Sequence, residues 1–197
     1  MQKAPTETTG NLPANTMRLA QKAAAAFAKE DWPVARAAYK EMLATDETNA
    51  LVWANLGAVE QQAGRPREAI ECFSKSVRYN PLIAQSWSAL GLLHSQFDEH
   101  YLALSMFARA IQADPNDARP RNYLAITAKN LGWRDAAEVE LLKAIELNPK
   151  YGIAHFNLAL LYLERTPPAR ELARRHYERS LALGVEKDSL IERRLKE

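Results

Sequence analysis

The chain has 197 residues, 47% of them hydrophobic and 25% charged, a balance that supports a packed core and excludes bulk disorder. Its 26 Lys and Arg against 24 Asp and Glu leave a formal charge of +2, so no net field draws it to a nucleic-acid backbone. The single cysteine, Cys72, excludes an intramolecular disulfide and a multi-cysteine metal site, and leaves cytoplasm and bacterial periplasm equally open.

Residues 1–15 are polar, with no hydrophobic signal core, and predict a flexible lead. No apolar run approaches the roughly 20 residues that span a bilayer, so the chain reads as soluble. From residue 16 onward a period of 34 organises the sequence. Unit one, 16–49, places Leu19, Ala23, Ala35 and Tyr39 in register. Unit two, 50–83, carries Trp53, Leu56, Gly57, Ala69, Phe73 and Pro81. These return in unit three, 84–117, as Trp87, Leu90, Gly91, Ala103, Phe107 and Pro115. Unit four, 118–151, has the degenerate set Arg121, Leu124, Ala125, Ala137, Leu141 and Pro149. Unit five, 152–184, has His155, Leu158 and Ala159, then two extra residues around Thr166-Pro167-Pro168, then Ala173 and Tyr177.

Apolar residues three and four apart within each unit are helical spacing, and each unit divides into two helices. Gly64 and Gly132 fall between them, where positive φ is tolerated, and the Asn-Pro and Asp-Pro pairs at 80, 114 and 148 stop the second helix. Asn49 and Asp117 are positioned to cap the helix that follows. Thr166 and Pro167 predict a cap and first turn for the last hairpin's second helix. Residues 185–197 predict a terminal capping helix, with Ser189 and Glu192 as a capping box and Leu190, Ile191 and Leu195 on its apolar side.

The run Trp53-x-x-Leu56-Gly57, Ala69, Phe73 and Pro81 resembles the tetratricopeptide repeat (TPR) family in order and spacing, and the resemblance extends over residues 16–184. It implies an all-α fold: a right-handed α-α superhelix, or TPR solenoid, of five helical hairpins plus a C-terminal capping helix. Small residues would let helices approach, Trp and Phe would fill the space between hairpins, and stacking would supply the core that a lone hairpin lacks. The resemblance also implies a non-enzymatic protein-protein interaction scaffold or adaptor, with an extended peptide held in a concave groove.

Steps of 100° place the face opposite the packing stripe. The candidate groove residues on it are Asn55 and Gln62 in unit two and Gln85, Ser88, Leu92 and Gln96 in unit three. Unit four contributes Arg119, Asn122, Tyr123, Ile126, Lys129 and Asn130, and unit five Phe156, Asn157 and Leu160. Amides suit a peptide backbone. Arg119 and Lys129, ten residues or about 15 Å apart along one helix, suit an acidic or carboxylate-bearing segment. The carboxylate clamp of chaperone-binding relatives is not reproduced. Asn55 matches it, but Ala20, Ala24, Gln85 and Ala89 stand where its other polar groups would be. The inner asparagine ladder of glycosyltransferase-associated arrays is matched at Asn55 and Asn157 and interrupted at Ala89 and Tyr123.

No sequence pattern calls for a catalytic residue, a metal or a cofactor. His94, His100, His155 and His176 have no metal-ligand spacing, and the glycines form no phosphate-binding loop. Cys72 reads as a packing residue. Acidic pairs such as Asp98-Glu99 and Asp114 with Asp117 read as caps at helix ends. Arg170, Arg174, Arg175 and Arg179 alternate with Glu171 and Glu178 as a solvated face, not a nucleic-acid patch. Residues 153–163 leave almost no polar face, which predicts a cover from the C-terminal segment, a second copy or a ligand. Two rivals to the adaptor remain: a self-associating structural scaffold docking through the Ala-rich stretch 23–28, giving a homo-oligomer, and the substrate-recruiting arm of a larger enzyme.

Overall fold

A computed structural model describes residues 14–197. Among them the fold is all-α: α1 (Ala14–Ala28), α2 (Trp32–Thr45), α3 (Ala50–Gln62), α4 (Pro66–Tyr79), α5 (Ala84–Gln96), α6 (His100–Ala113), α7 (Ala118–Asn130), α8 (Arg134–Leu147), α9 (Gly152–Leu163), α10 (Arg170–Ala182) and α11 (Ser189–Arg194). They are five helical pairs followed by a terminal helix. The lead expected over residues 1–15 lies outside the described residues except for Ala14 and Asn15, which open α1. The chain forms two compact units, one up to Leu93 and one from His94.

In the first unit, Leu19, Ala23 and Ala26 of α1 pack with Tyr39, Met42 and Leu43 of α2 and with Val52, Leu56 and Val59 of α3. Gly57 is required by close approach, because a Cβ there would stand 2.9 Å from the Phe73 ring. Asn49 caps α3 by accepting from the Val52 amide. The indoles do less filling than their spacing suggests. Trp53 and Trp87 are half-buried, and each Nε1 donates to a loop carbonyl six residues back, Glu47 at 2.7 Å and Pro81 at 2.8 Å.

In the second unit the core runs from Ala125 and Ala128 of α7 and Ala137, Leu141 and Ala144 of α8 to Leu158, Leu161 and Tyr162 of α9 and Tyr177 of α10. Ile191 and Leu195 of the terminal segment join it. Asn80, Asp114 and Asn148 end the second helix of their pairs in extended conformation, as the following prolines dictate. Positive φ occurs at Glu30, Gly64, Asp98 and Gly132. The hairpin turn therefore keeps one geometry every 34 residues, whether or not glycine is present.

Three capping expectations are corrected. Thr166 and Pro167 neither cap nor begin α10, which starts at Arg170 behind Ala169 without a side-chain cap. The Ala169 amide instead donates back to the Tyr162 carbonyl, which holds the extra residues as a loop over the end of α9. At α11 the cap is Asp188, not Ser189: its carboxylate accepts from the amides of Leu190 and Ile191 at 2.8 and 3.0 Å, one residue upstream of the expected box. Asp98 and Glu99 do not cap α6. Asp98 occupies the positive-φ turn, and Glu99 reaches back to His94 Nδ1.

Candidate peptide-binding face

In the first unit, Asn55 is only 7% exposed, so its amide is no surface contact. Gln62 and Gln85 are exposed, and Ser88 and Leu92 half-buried. Gln96, at the end of α5, belongs to the second unit and is exposed.

The second unit gathers the remaining candidates on α7 and α9. Asn157 Nδ2 donates to Asn122 Oδ1 at 2.8 Å. Asn122 is 1% exposed, and its own Nδ2 has no partner. Ile126, Lys129 and Asn157 line a small pocket of about 40 Å³ together with Ala125, Ala137 and Leu141. Tyr123 is half-buried against the Phe107 ring, with centroids 5.6 Å apart. Phe156 leans on Tyr177 and, with Leu160, packs partly against the core, while Asn130 is exposed. The C-terminal segment reaches α9 at Gly152, where Val185 and Leu183 lie against it, and α11 contacts the helix, while Ile153 on its groove side is 47% exposed.

Arg119 and Lys129, whose spacing suits a carboxylate-bearing segment, each already have a carboxylate of this chain beside them. Arg119 forks onto Asp117, the residue that caps its own helix, with Nη2 to Oδ2 at 2.6 Å. Lys129 Nζ reaches Glu164 Oε1 at 3.1 Å. Both are half of an ion pair, and a partner carboxylate has to compete for them. Hydrogen bonding to Asp117, opposed by burial, raises the Arg119 pKa, so its charge is fixed at every working pH.

A second grouping was invisible in one dimension. His155 and His176, 21 residues apart, meet with Nδ1 to Nδ1 at 2.9 Å and rings stacked at 5.2 Å. Burial lowers the pKa of both, with Arg179 adding to the effect at His155 and the neighbouring ring and Arg175 at His176. The available signal was register: His155 stands where Trp53 and Trp87 do, and His176, after the two-residue insertion, where Cys72 does. At the same two places unit four has Arg121 and Glu140, paired at 2.8 Å. Cys72 itself is buried, and burial pushes its thiol up to about 12, which suits packing and not nucleophilic chemistry. No group of three metal-binding side chains assembles among the described residues, and none of the helices they form is long and apolar enough to cross a membrane.

Three tetratricopeptide repeat family models match residues 55–118, 122–151 and 140–182. The chain belongs to the tetratricopeptide repeat family. This TPR chain is 28% identical over 135 residues to a barley (Hordeum vulgare) protein named probable UDP-N-acetylglucosamine--peptide N-acetylglucosaminyltransferase SPINDLY, covering 64% of this chain and 14% of that protein. It spans less than a fifth of the length of the first curated relatives it matches. Among solved structures, MamA shares 25% identity at a TM-score of 0.73, over 82% of this chain and 93% of that one. YrrB, a TPR protein with an unusual peptide-binding site, shares 21% identity at a TM-score of 0.71, over 93% of this chain and 98% of that one.

Proposed function

We propose that the chain is a non-enzymatic protein-interaction scaffold that holds an extended partner segment along the first-helix face of α7 and α9. The observation that carries this reading is the half-buried Asn157, held by the buried Asn122, beside Lys129 and Ile126. Asn122 is too deeply buried to meet a partner itself, but it holds the half-buried Asn157 by its Nδ2, leaving the Asn157 Oδ1 to accept from a peptide N–H. Ile126 offers apolar contact, and Lys129 and Arg119 offer charge to a segment that carries carboxylates. The peptide-binding site of YrrB supports the same use of the fold.

The test is titration of extended acidic peptides against the chain and against the double variant Arg119→Glu, Lys129→Glu. The variant should keep its helical content, because neither side chain enters the core, and should lose peptide capture. Full retention of binding by the folded variant would sink this reading and put self-association ahead, to be read as a mass that rises with concentration in light scattering. A second reading has support in the barley relative, a transferase of which this chain matches 14%: the same face would then recruit substrate polypeptides for an enzymatic region encoded beside it.

A further inference from the structure

The first unit contains a cleft of about 520 Å³ between α2, α3 and α4, and its volume lies in the range of ligand sites. Its base is apolar and buried, with Leu43, Leu56 and Cys72. One wall is the half-buried Trp53 indole, fixed by its bond to the Glu47 carbonyl. The exposed edge is acidic: Glu47, Glu68 and Glu71 border the opening, and none of them makes an ion pair among the described residues. A fourth acid in the cleft, Glu60, is 4% exposed and already neutralised by Arg36 at 2.6 Å.

Two lysines also line the opening, and one shows what the indole accepts. Lys75 Nζ lies 4.1 Å from the centroid of the Trp53 ring, within the reach of a cation–π contact. The chain's own ammonium therefore sits on the aromatic wall, while three carboxylates around it have no ionic partner among the described residues. Lys40 and Lys75 offset two of those three charges and Arg36 cancels Glu60, so the edge retains a negative excess.

We propose that this cleft is a second docking site that takes a Lys- or Arg-bearing extended peptide segment, with one basic side chain replacing Lys75 over Trp53 and others facing Glu47, Glu68 and Glu71. Its charge preference is opposite to that of the α7–α9 face. Each site stands or falls without the other.

The test uses the full chain and a synthetic peptide of alternating Arg and Ala, with the Glu-Ala counterpart as control, followed through the indole N–H resonance of Trp53, assigned by loss in Trp53→Phe. The basic peptide should shift that resonance saturably, and the acidic one should not. The triple variant Glu47→Gln, Glu68→Gln, Glu71→Gln alters only exposed side chains and should weaken binding at least fivefold with unchanged circular dichroism. Lys75→Ala should strengthen it, because the internal competitor is gone. Absence of a saturable shift, equal binding by the Gln variant, or no gain with Lys75→Ala would each overturn the proposal. None of these results bears on the Arg119 and Lys129 test.

Discussion

At the residue scale, the molecule shows where a repeated backbone tolerates an imperfect residue. Glu30 has φ of 58° at the turn where Gly64 and Gly132 stand one and three periods later. A glutamate in the left-handed region carries a steric cost of about 1–2 kcal/mol, offset in part by the lower entropy of its unfolded chain. Glu30→Gly should therefore raise unfolding stability by about 0.5–1 kcal/mol in a urea titration; an unchanged midpoint would mean the turn is relaxed as it stands. The His155–His176 pair sets a dependence of opposite kind. Both folded pKa values lie below the ordinary histidine value, chiefly through burial. As pH falls through about 6.5 the unfolded chain takes up protons before the folded one does. The pair's contribution is thus fully present above that pH and is lost below it. Melting temperatures between pH 7.5 and 5.5 should fall, and His155→Arg with His176→Glu, the pair found at Arg121 and Glu140, should flatten the slope.

At the element scale, α11 is six residues long and too short to be stable alone. Its anchorage is tertiary. Ile191 is fully buried, Arg194 Nη2 donates to the Leu163 carbonyl at 2.6 Å, Arg174 Nη2 to that of Leu195 at 3.1 Å, and Tyr177 Oη accepts from the Asp188 amide at 2.7 Å. The alternating Arg and Glu residues of α10 read as a solvated face, and Arg174 belongs to that face and to this anchorage. Gly152 stands where Ala50, Ala84 and Ala118 open the preceding first helices, because Val185 would be 2.9 Å from a Cβ there. Ile191→Ala should cost about 2–5 kcal/mol, and removal of residues 189–197 should lower the melting temperature and expose dye-binding surface. An unchanged melt in both would show that the last hairpin needs no cover. The terminal helix was legible from Ile191 and Leu195, which are buried, whereas Leu190, expected on the same apolar side, is 48% exposed. Its true cap was not, since Asp188 and Ser189 are both good capping residues and only the path of the chain after Gly184 decides between them.

At the scale of the whole molecule, one period fixes the fold while the chemistry at equivalent positions drifts. The places of Trp53 and Cys72 become an ion pair in Arg121 and Glu140 and an imidazole pair in His155 and His176. Likewise, the contact between Arg36 and Glu60 returns between Glu138 and Tyr162, each 24 residues apart. The five hairpins were readable because Trp, Leu, Gly, Ala and Phe repeat their spacing. Most of the polar partnerships were not, because pairs such as Arg121 with Glu140 and Lys129 with Glu164 join positions 19 to 35 residues apart whose identities change from unit to unit. Lys129 is the case with a functional consequence: it looked free on α7, and Glu164, 35 residues on, engages it at 3.1 Å. If the α7–α9 face binds carboxylate-bearing segments, Glu164 is an internal competitor for the same ammonium. Both side chains are part-exposed, 27% and 30%, so their pairing is worth at most about 1 kcal/mol. Glu164→Gln should then raise affinity for an acidic peptide by no more than about fivefold, Lys129→Ala should lower it, and the double variant should match Lys129→Ala alone. The gain should shrink in salt, which screens the partner's carboxylate and the internal one alike. An affinity in Glu164→Gln equal to that of the unaltered chain, measured at low ionic strength, would place the partner's carboxylate somewhere other than Lys129.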